Sequence, residues 1–295
     1  MYESFYKLKR LAFENLPDPD FLFDSDQHRE SLAAIEYVVR MRKGLVLLTG
    51  GVGCGKTMVV EALCDRFGDN ATVIRLSPGH DNRQAMIHQL IRSLGYDGSD
   101  LSDYSKLMEV LTGHLKAHVE VQRPVILIAD EAQNLTDQCL EEIRLLTNLE
   151  YNGMKLVQII LVGQSLLRER LQSPALTSLR QRVVMSKHLR SFTLDETIAY
   201  IRHRLAVAKG IDADEIQVPV FDDVAIQGIY TYSNGVARVI NMLCDNCMLA
   251  GYLNQIKTID ARTVSGVISE MIPACDYGLT RRRINKPRFE LSRVA

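Results

Sequence analysis

Gly50-Gly51-Val52-Gly53-Cys54-Gly55-Lys56-Thr57 satisfies G-x-x-x-x-G-K-[ST] without a gap and constrains this chain more than any other stretch. The apolar run Leu45-Val46-Leu47-Leu48 precedes it, and a helix-like stretch over 58–67 follows it. Strand, glycine-rich turn and helix start are the setting in which this motif has a mechanism. The glycines let the backbone curl so that successive N–H groups point inward, and the helix N-terminus adds the positive end of its dipole. Such a cradle suits a polyphosphate. The Lys56 ammonium can reach the β- and γ-phosphates, and the Thr57 hydroxyl can hold Mg²⁺. Gly50, Gly51, Val52, Gly53, Cys54, Gly55, Lys56, Thr57 and Met58 are therefore the candidate nucleotide-binding set. The bland alternative is a glycine turn that binds nothing, and the flanking strand and helix signals argue against it.

Short apolar runs alternate with helical patterns along the first two thirds of the chain. Strands are expected near 44–49, 71–76, 124–129, 156–162 and 182–187. Helices are expected near 57–67, 81–94, 103–120 and 136–149. This alternation predicts an α/β fold with a mostly parallel sheet covered by helices on both faces. From about Phe192 the strand signals stop. Helical patterns follow near 194–209, 220–232, 236–253 and 260–271, which reads as a smaller all-helical domain. Ahead of the sheet, Pro17-Asp18-Pro19-Asp20-Phe21-Leu22-Phe23 reads as a turn that pins an extended segment. Ser25 or Asp26 then caps a helix carrying Leu32, Ile35, Val38 and Val39 at helical spacing. The aromatic stretch from Phe21 to His28 suits a flat base, with His28 either beside adenine or a helix-cap or surface histidine.

The 295 residues are 46% hydrophobic, enough for a sizeable core in one large domain or two moderate ones. A net charge of -1 offers no global field for nucleic acid, so any such binding needs a local patch. The six cysteines, Cys54, Cys64, Cys139, Cys244, Cys247 and Cys275, lie scattered through the chain and suit a reducing compartment. Cys244-Asp245-Asn246-Cys247 has no second pair at metal-finger spacing and sits in a helical pattern, so both cysteines read as core residues. No apolar run approaches the roughly 18–20 residues of a membrane span, and the N-terminus lacks a signal-peptide pattern. The expectation is a cytoplasmic protein.

Val125-Ile126-Leu127-Ile128-Ala129-Asp130-Glu131 is a buried-strand run that ends in two acids. A parallel strand ending in Asp places that carboxylate at the carboxyl edge of the sheet, where open α/β folds bind ligands. Asp130 then stands near a Thr57-bound Mg²⁺, and Glu131 can act as the general base on an attacking water. A strand that merely ends in two solvated acids is common. The phosphate-cradle motif some 70 residues earlier, with a strand between, favours the catalytic interpretation.

The residues 46–57 and 125–135, together with Leu161-Val162-Gly163-Gln164, Leu179-Arg180-Gln181-Arg182-Val183 and Asn234-Gly235-Val236-Ala237-Arg238-Val239-Ile240-Asn241, resemble AAA+ ATPases of the general secretion pathway protein A type. The opening Met1-Tyr2, Phe5-Tyr6, Leu8-Lys9, Pro17-Asp18-Pro19, Phe21-Leu22 and His28, and Leu243-Cys244-Asp245-Asn246, are similar as well. The resemblance spans nearly all of 1–272. It implies a P-loop NTPase core, a helical lid, ATP and Mg²⁺ as ligands, and hydrolysis at a subunit interface. The expected division is 1–40 as an adenine-side segment of the core, 41–190 as the ATPase core, 191–272 as the lid and 273–295 as a basic tail, disordered or docking.

Roles carry over residue by residue. Gln164 resembles the polar residue that positions the water or senses the γ-phosphate, its plainer alternative being a capping glutamine. Arg182, or else Arg180, resembles the arginine finger that reaches a neighbouring subunit and neutralises charge on the transferred phosphoryl group. Arg238 resembles the second sensor, acting in cis on the γ-phosphate. Three positions depart from the family pattern: Gly51 replaces an acidic residue, Met58 a second Thr and Ala237 a proline. The relatives continue into a membrane span and a peptidoglycan-binding region, so peptidoglycan work is not expected of these 295 residues. The leading expectation is a Mg²⁺-dependent ATPase that forms a homo-oligomeric ring or filament and remodels a protein partner. The alternative is an ATP-dependent DNA-binding regulator of the transposition-adaptor type, using the tail residues Arg281, Arg282, Arg283, Lys286, Arg288 and Arg293 on phosphates, although these also suit a solvated basic end.

Overall fold

The computed structural model describes residues 1–76, 82–97, 101, 103–211 and 219–271. The 273–295 tail and Cys275 lie outside them. In chain order the elements are α1 (Tyr2–Tyr6), a 3-10 turn (Pro19–Phe21), α2 (Asp26–Arg40), β1 (Leu45–Gly50), α3 (Lys56–Phe67), β2 (Thr72–Arg75), α4 (Arg83–Ser93), α5 (Tyr104–Glu120) and β3 (Val125–Ala129). A second 3-10 turn (Ala132–Asn134) leads to α6 (Asp137–Leu146), the short strands β4 (Glu150–Tyr151) and β5 (Met154–Lys155), β6 (Val157–Gly163), α7 (Ser165–Arg170), α8 (Thr177–Arg180) and β7 (Val183–Leu189). The helices α9 (Leu194–Lys209), α10 (Asp223–Ser233), α11 (Ala237–Leu253) and α12 (Ala261–Glu270) complete the described chain.

The main sheet has the order β2-β3-β6-β1-β7, with every neighbouring pair parallel. Parallel strands covered on both faces need apolar residues throughout. Accordingly β1, β3 and β6 are buried at every position. Alternate side chains point to opposite faces. Leu45 and Leu47 of β1 join Met86, Ile87, Leu107 and Leu140 under α4, α5 and α6. Val46 and Leu48 join Leu32, Ile35, Val59 and Leu63 under α2 and α3. β7 sits at the edge and alternates between half-buried and exposed positions up to buried Leu189.

Register sets the site. Thr49 pairs with Gly163, and Ala129 pairs with Leu161. The carboxyl ends of β1, β6 and β3 therefore stand side by side, and the loops leaving them share one edge.

A third hydrophobic core lies in the helical region after Phe192. It holds Ile201, Leu205, Ile226, Ile229, Leu243 and Met248 from α9, α10 and α11. Thr193 and Glu196 form a reciprocal capping box that fixes the start of α9. Cys244 and Cys247 are fully buried here, as their helical setting predicts, and burial pushes the Cys247 thiol up to about 12.

Residues 1–40, the expected adenine-side segment, pack in two places. Tyr2, Tyr6, Ala12, Phe13 and Phe21 are buried in the helical-region core, whereas α2 packs on the sheet. Lys9 N–H donates to Ala208 O, and the Tyr6 hydroxyl donates to Ile256 O. Buried Arg204 of α9 donates to Ala12 O at 2.5 Å and Glu14 O at 3.1 Å. The opening segment is thus a strap on the helical region that crosses to the sheet at α2.

Candidate nucleotide-binding site

β1 delivers the chain into the loop at 51–55, and α3 begins at Lys56. Gly53 and Gly55 take φ of +76° and +89°, a region disfavoured for L side chains. Close neighbours also exclude a side chain. A Cβ on Gly55 would stand 2.7 Å from His28 Nε2, and one on Gly53 2.7 Å from the Arg238 Cβ. The loop is therefore pressed between α2 beneath and the start of α11 above.

The Lys56 ammonium donates to Gly50 O at 3.1 Å and Gly51 O at 2.9 Å. Burial pushes its pKa down, and the nearby Glu131 and Asp130 charges oppose that shift. The Thr57 hydroxyl stands 3.5 Å from Asp130 Oδ2. A hydroxyl beside a carboxylate at a helix start is a hard-oxygen donor pair of the kind Mg²⁺ takes along with several waters and substrate phosphates.

His28 is buried, at 4% exposure, and is not a surface histidine. Its Nε2 faces Cys54 O at 3.3 Å, and its Nδ1 faces Ser25 Oγ at 2.7 Å. A carbonyl only accepts, so the Nε2 carries the proton and Nδ1 accepts from the serine. Burial pushes the His28 pKa down and favours this neutral form. Ser25 is the N-cap of α2, yet its hydroxyl is used on His28 and not on the helix.

Beyond β3, Asp130 Oδ1 accepts from the Glu131 backbone N–H at 2.8 Å. Glu131 has φ +48°, a left-handed conformation for a non-glycine residue. Gln164, at the end of β6, donates from Nε2 to Glu131 Oε2 at 3.1 Å. It is the N-cap residue of α7, but its side chain makes no capping bond. Gln133 also donates to Glu131 Oε2 and accepts from the Gln164 backbone N–H. Sequence reasoning did not single out Gln133, although Asp130-Glu131-Ala132-Gln133 places it two residues beyond the candidate base.

The helical region closes the other side. The Arg238 N–H donates to Gly53 O at 3.3 Å. Val236 is the N-cap of α11 and Ala237 its first residue, so this bond ties the helix start to the loop where the family pattern has a proline. One cavity runs between the two parts. Gly53, Lys56, Thr57, Glu131 and Arg238 line one end, and Phe21, Phe23, Tyr200 and Asn241 line the other. The polar inner wall, in which Arg204 donates to the Tyr200 hydroxyl and Tyr200 to Asn241 Oδ1, was not foreseen.

Arg182 and Arg180 are not brought to this site. Both are exposed at the amino end of β7, whose residue Val183 pairs with Leu45 at the start of β1. Gly50 lies five residue steps along the strand from Leu45, about 17 Å at the usual rise.

Residues 39–171 match a family model described as an AAA domain. Over 254 residues, 85% of this chain, the sequence is 34% identical to general secretion pathway protein A of Aeromonas hydrophila. The chain spans 45% of that relative's length. Among solved structures, the ORC2 protein of Aeropyrum pernix in its ADPNP-ADP complexes gives a TM-score of 0.63 at 15% identity, covering 91% of this chain and 74% of that one. Cdc6p from Pyrobaculum aerophilum gives 0.64 at 18% identity, covering 87% and 72%. The RuvB Holliday junction branch migration motor of Thermotoga maritima gives 0.53 at 18% identity, covering 88% and 73%. These structures share the fold: a P-loop NTPase core followed by a helical lid. Residues 39–171 thus match an AAA domain, in a chain similar over most of its length to part of general secretion pathway protein A.

Proposed function

We propose that this protein is a Mg²⁺-dependent ATPase that oligomerises and couples turnover to remodelling of a protein partner. One observation carries the proposal. Lys56, Thr57, Asp130, Glu131 and Gln164 gather at the carboxyl edge of three adjacent parallel strands, beside a cavity that Lys56, Thr57, Glu131 and Arg238 line.

The loop N–H groups and Lys56 bind the polyphosphate. Thr57 and Asp130 are the residues that would hold Mg²⁺, which supplies charge neutralisation on the phosphates. Glu131 takes a proton from water while the water oxygen forms its bond to the γ-phosphorus. The bond to the β–γ bridging oxygen breaks, leaving ADP and phosphate. Gln164 orients the carboxylate and the water. The aromatic end of the cavity takes the base. Arg182 serves a neighbouring subunit's site, since its own lies across the sheet. The DNA-binding alternative rests on the 281–293 tail, outside the described residues.

Lys56→Ala should abolish binding of a fluorescent ATP analogue. Glu131→Gln should retain binding and lose roughly 100-fold or more in phosphate release. Parental turnover by purified Glu131→Gln would overturn the assignment.

A further inference from the structure

Glu131 has two carboxylate oxygens, and the structure treats them differently. Oε2 accepts hydrogen bonds from two side-chain amides, Gln133 Nε2 and Gln164 Nε2. Among the described residues Oε1 has no hydrogen-bond partner, and Glu131 lines the nucleotide cavity.

Gln133 is itself fixed at three points. Its Oε1 accepts from the Gln164 backbone N–H at 3.1 Å, and its Nε2 donates to Glu131. Its backbone carbonyl accepts from Arg170 Nη1 at 2.9 Å. Arg170 also binds Leu135 O at 2.6 Å and pairs with Asp137, so α7 holds the whole turn after β3. The orientation of the Gln133 amide follows from its partners. An N–H faces its oxygen and a carboxylate faces its nitrogen, and the reverse placement would oppose donor to donor and acceptor to acceptor. Gly163 makes room for this amide, because a Cβ there would stand 2.7 Å from Gln133 Oε1.

We propose that Gln133 is a positioning residue for hydrolysis: it pins Glu131 Oε2 to the end of β6 and leaves Oε1 as the oxygen that takes the proton from water. This rests on Glu131 being the general base. Gln133 does not line the nucleotide cavity, so it acts on turnover and not on nucleotide affinity.

Two variants separate this role from simple packing. Gln133→Met keeps the length and removes both amide bonds. Gln133→Glu keeps the shape but sets a second carboxylate against Glu131, where like charges repel. The proposal predicts that kcat falls about 10- to 100-fold in Gln133→Met and further in Gln133→Glu. ATP-analogue Kd and unfolding temperature should stay near parental values in at least the Met variant. A residue that only fills space beside Gly163 would give the opposite order, with the isosteric Glu variant tolerated better. In a Glu131→Gln background neither substitution should lower turnover further. If Glu131→Gln silences turnover while Gln133→Met retains parental kcat, Gln133 has no such role and the base assignment stands. If Glu131→Gln itself turns over normally, the base assignment fails first.

Discussion

His28 shows how one buried side chain disciplines a phosphate loop. Its Nε2–H is held on Cys54 O by the Ser25 hydroxyl behind it, and the ring fills the space where a Gly55 side chain would project. Removing the imidazole leaves a buried carbonyl without its donor, a loss of roughly 1–3 kcal/mol. His28→Ala should therefore weaken ATP-analogue binding about tenfold in a fluorescence titration, with Lys56 and Thr57 untouched. Gly55→Ala should be worse, because it meets both the +89° backbone and the imidazole at 2.7 Å. The two changes should not add. With His28 already removed, Gly55→Ala loses the clash and keeps only the backbone term, which a double-mutant cycle reads directly. Strict additivity would show that His28 does not press on the loop.

At the scale of elements, α6 carries a device unrelated to the nucleotide. Glu142 is 1% exposed and accepts from the Tyr104 hydroxyl of α5 at 2.7 Å, while among the described residues its Oε2 lacks a partner. Burial raises its pKa, against the pull of Tyr104 and Arg83 and with a push from Glu141. The folded state then binds this proton more tightly than the unfolded chain does. Stability contributed by Glu142 is present at low pH and is lost as pH rises from the ordinary carboxylate value through the raised one. Glu142→Gln cannot ionise. Its stability relative to the parent should increase as pH rises above the ordinary carboxylate value, followed by urea denaturation. A pH-independent difference would mean that Glu142 stays ionised in the fold.

The sequence disclosed these elements unevenly, for physical reasons. β1, β3 and β6 are buried on both faces, so each is a continuous apolar run, and the motifs at their carboxyl ends fall into place with them. The β4–β5 hairpin was not foreseen, although Asn152-Gly153 with φ of +51° and +74° is a strong turn signal. Two-residue strands carry no periodicity to find. The expected helix over 136–149 runs only from Asp137 to Leu146, and the chain then turns into the hairpin. The strap at 1–23 and the His28 contact join positions far apart in sequence, and no local pattern records such pairings. Gln133 was hidden differently: its role depends on β6 lying beside β3, which strand order alone reveals.

Among the described residues the proposed site is built from two parts, with the strap joining them. Arg204 binds Ala12 O and Glu14 O, Arg238 N–H binds Gly53 O, and the cavity lies between. Lys56, Glu131 and Arg238 line that cavity and Asp130 stands beside Thr57 at its edge, whereas Arg182 is remote from it. Its place at the amino end of β7 bars it from its own phosphates, because the sheet lies between. As the finger proposed above, exposed Arg182 would act on a second copy, through a head-to-tail contact that repeats around a ring or along a filament. The consequence is testable without knowing the partner. Arg182→Ala retains Glu131 but offers no finger, and Glu131→Gln retains the finger but has no base. Each alone should show a large loss of turnover. Mixed in equal amounts at random, about a quarter of the contacts join an intact Glu131 site to an intact Arg182, so phosphate release should recover in part. Arg180→Ala should not replace Arg182→Ala in this pairing if Arg182 is the finger. Failure to recover at any mixing ratio, with assembly confirmed by size-exclusion chromatography in the presence of an ATP analogue, would rule out Arg182 acting in trans.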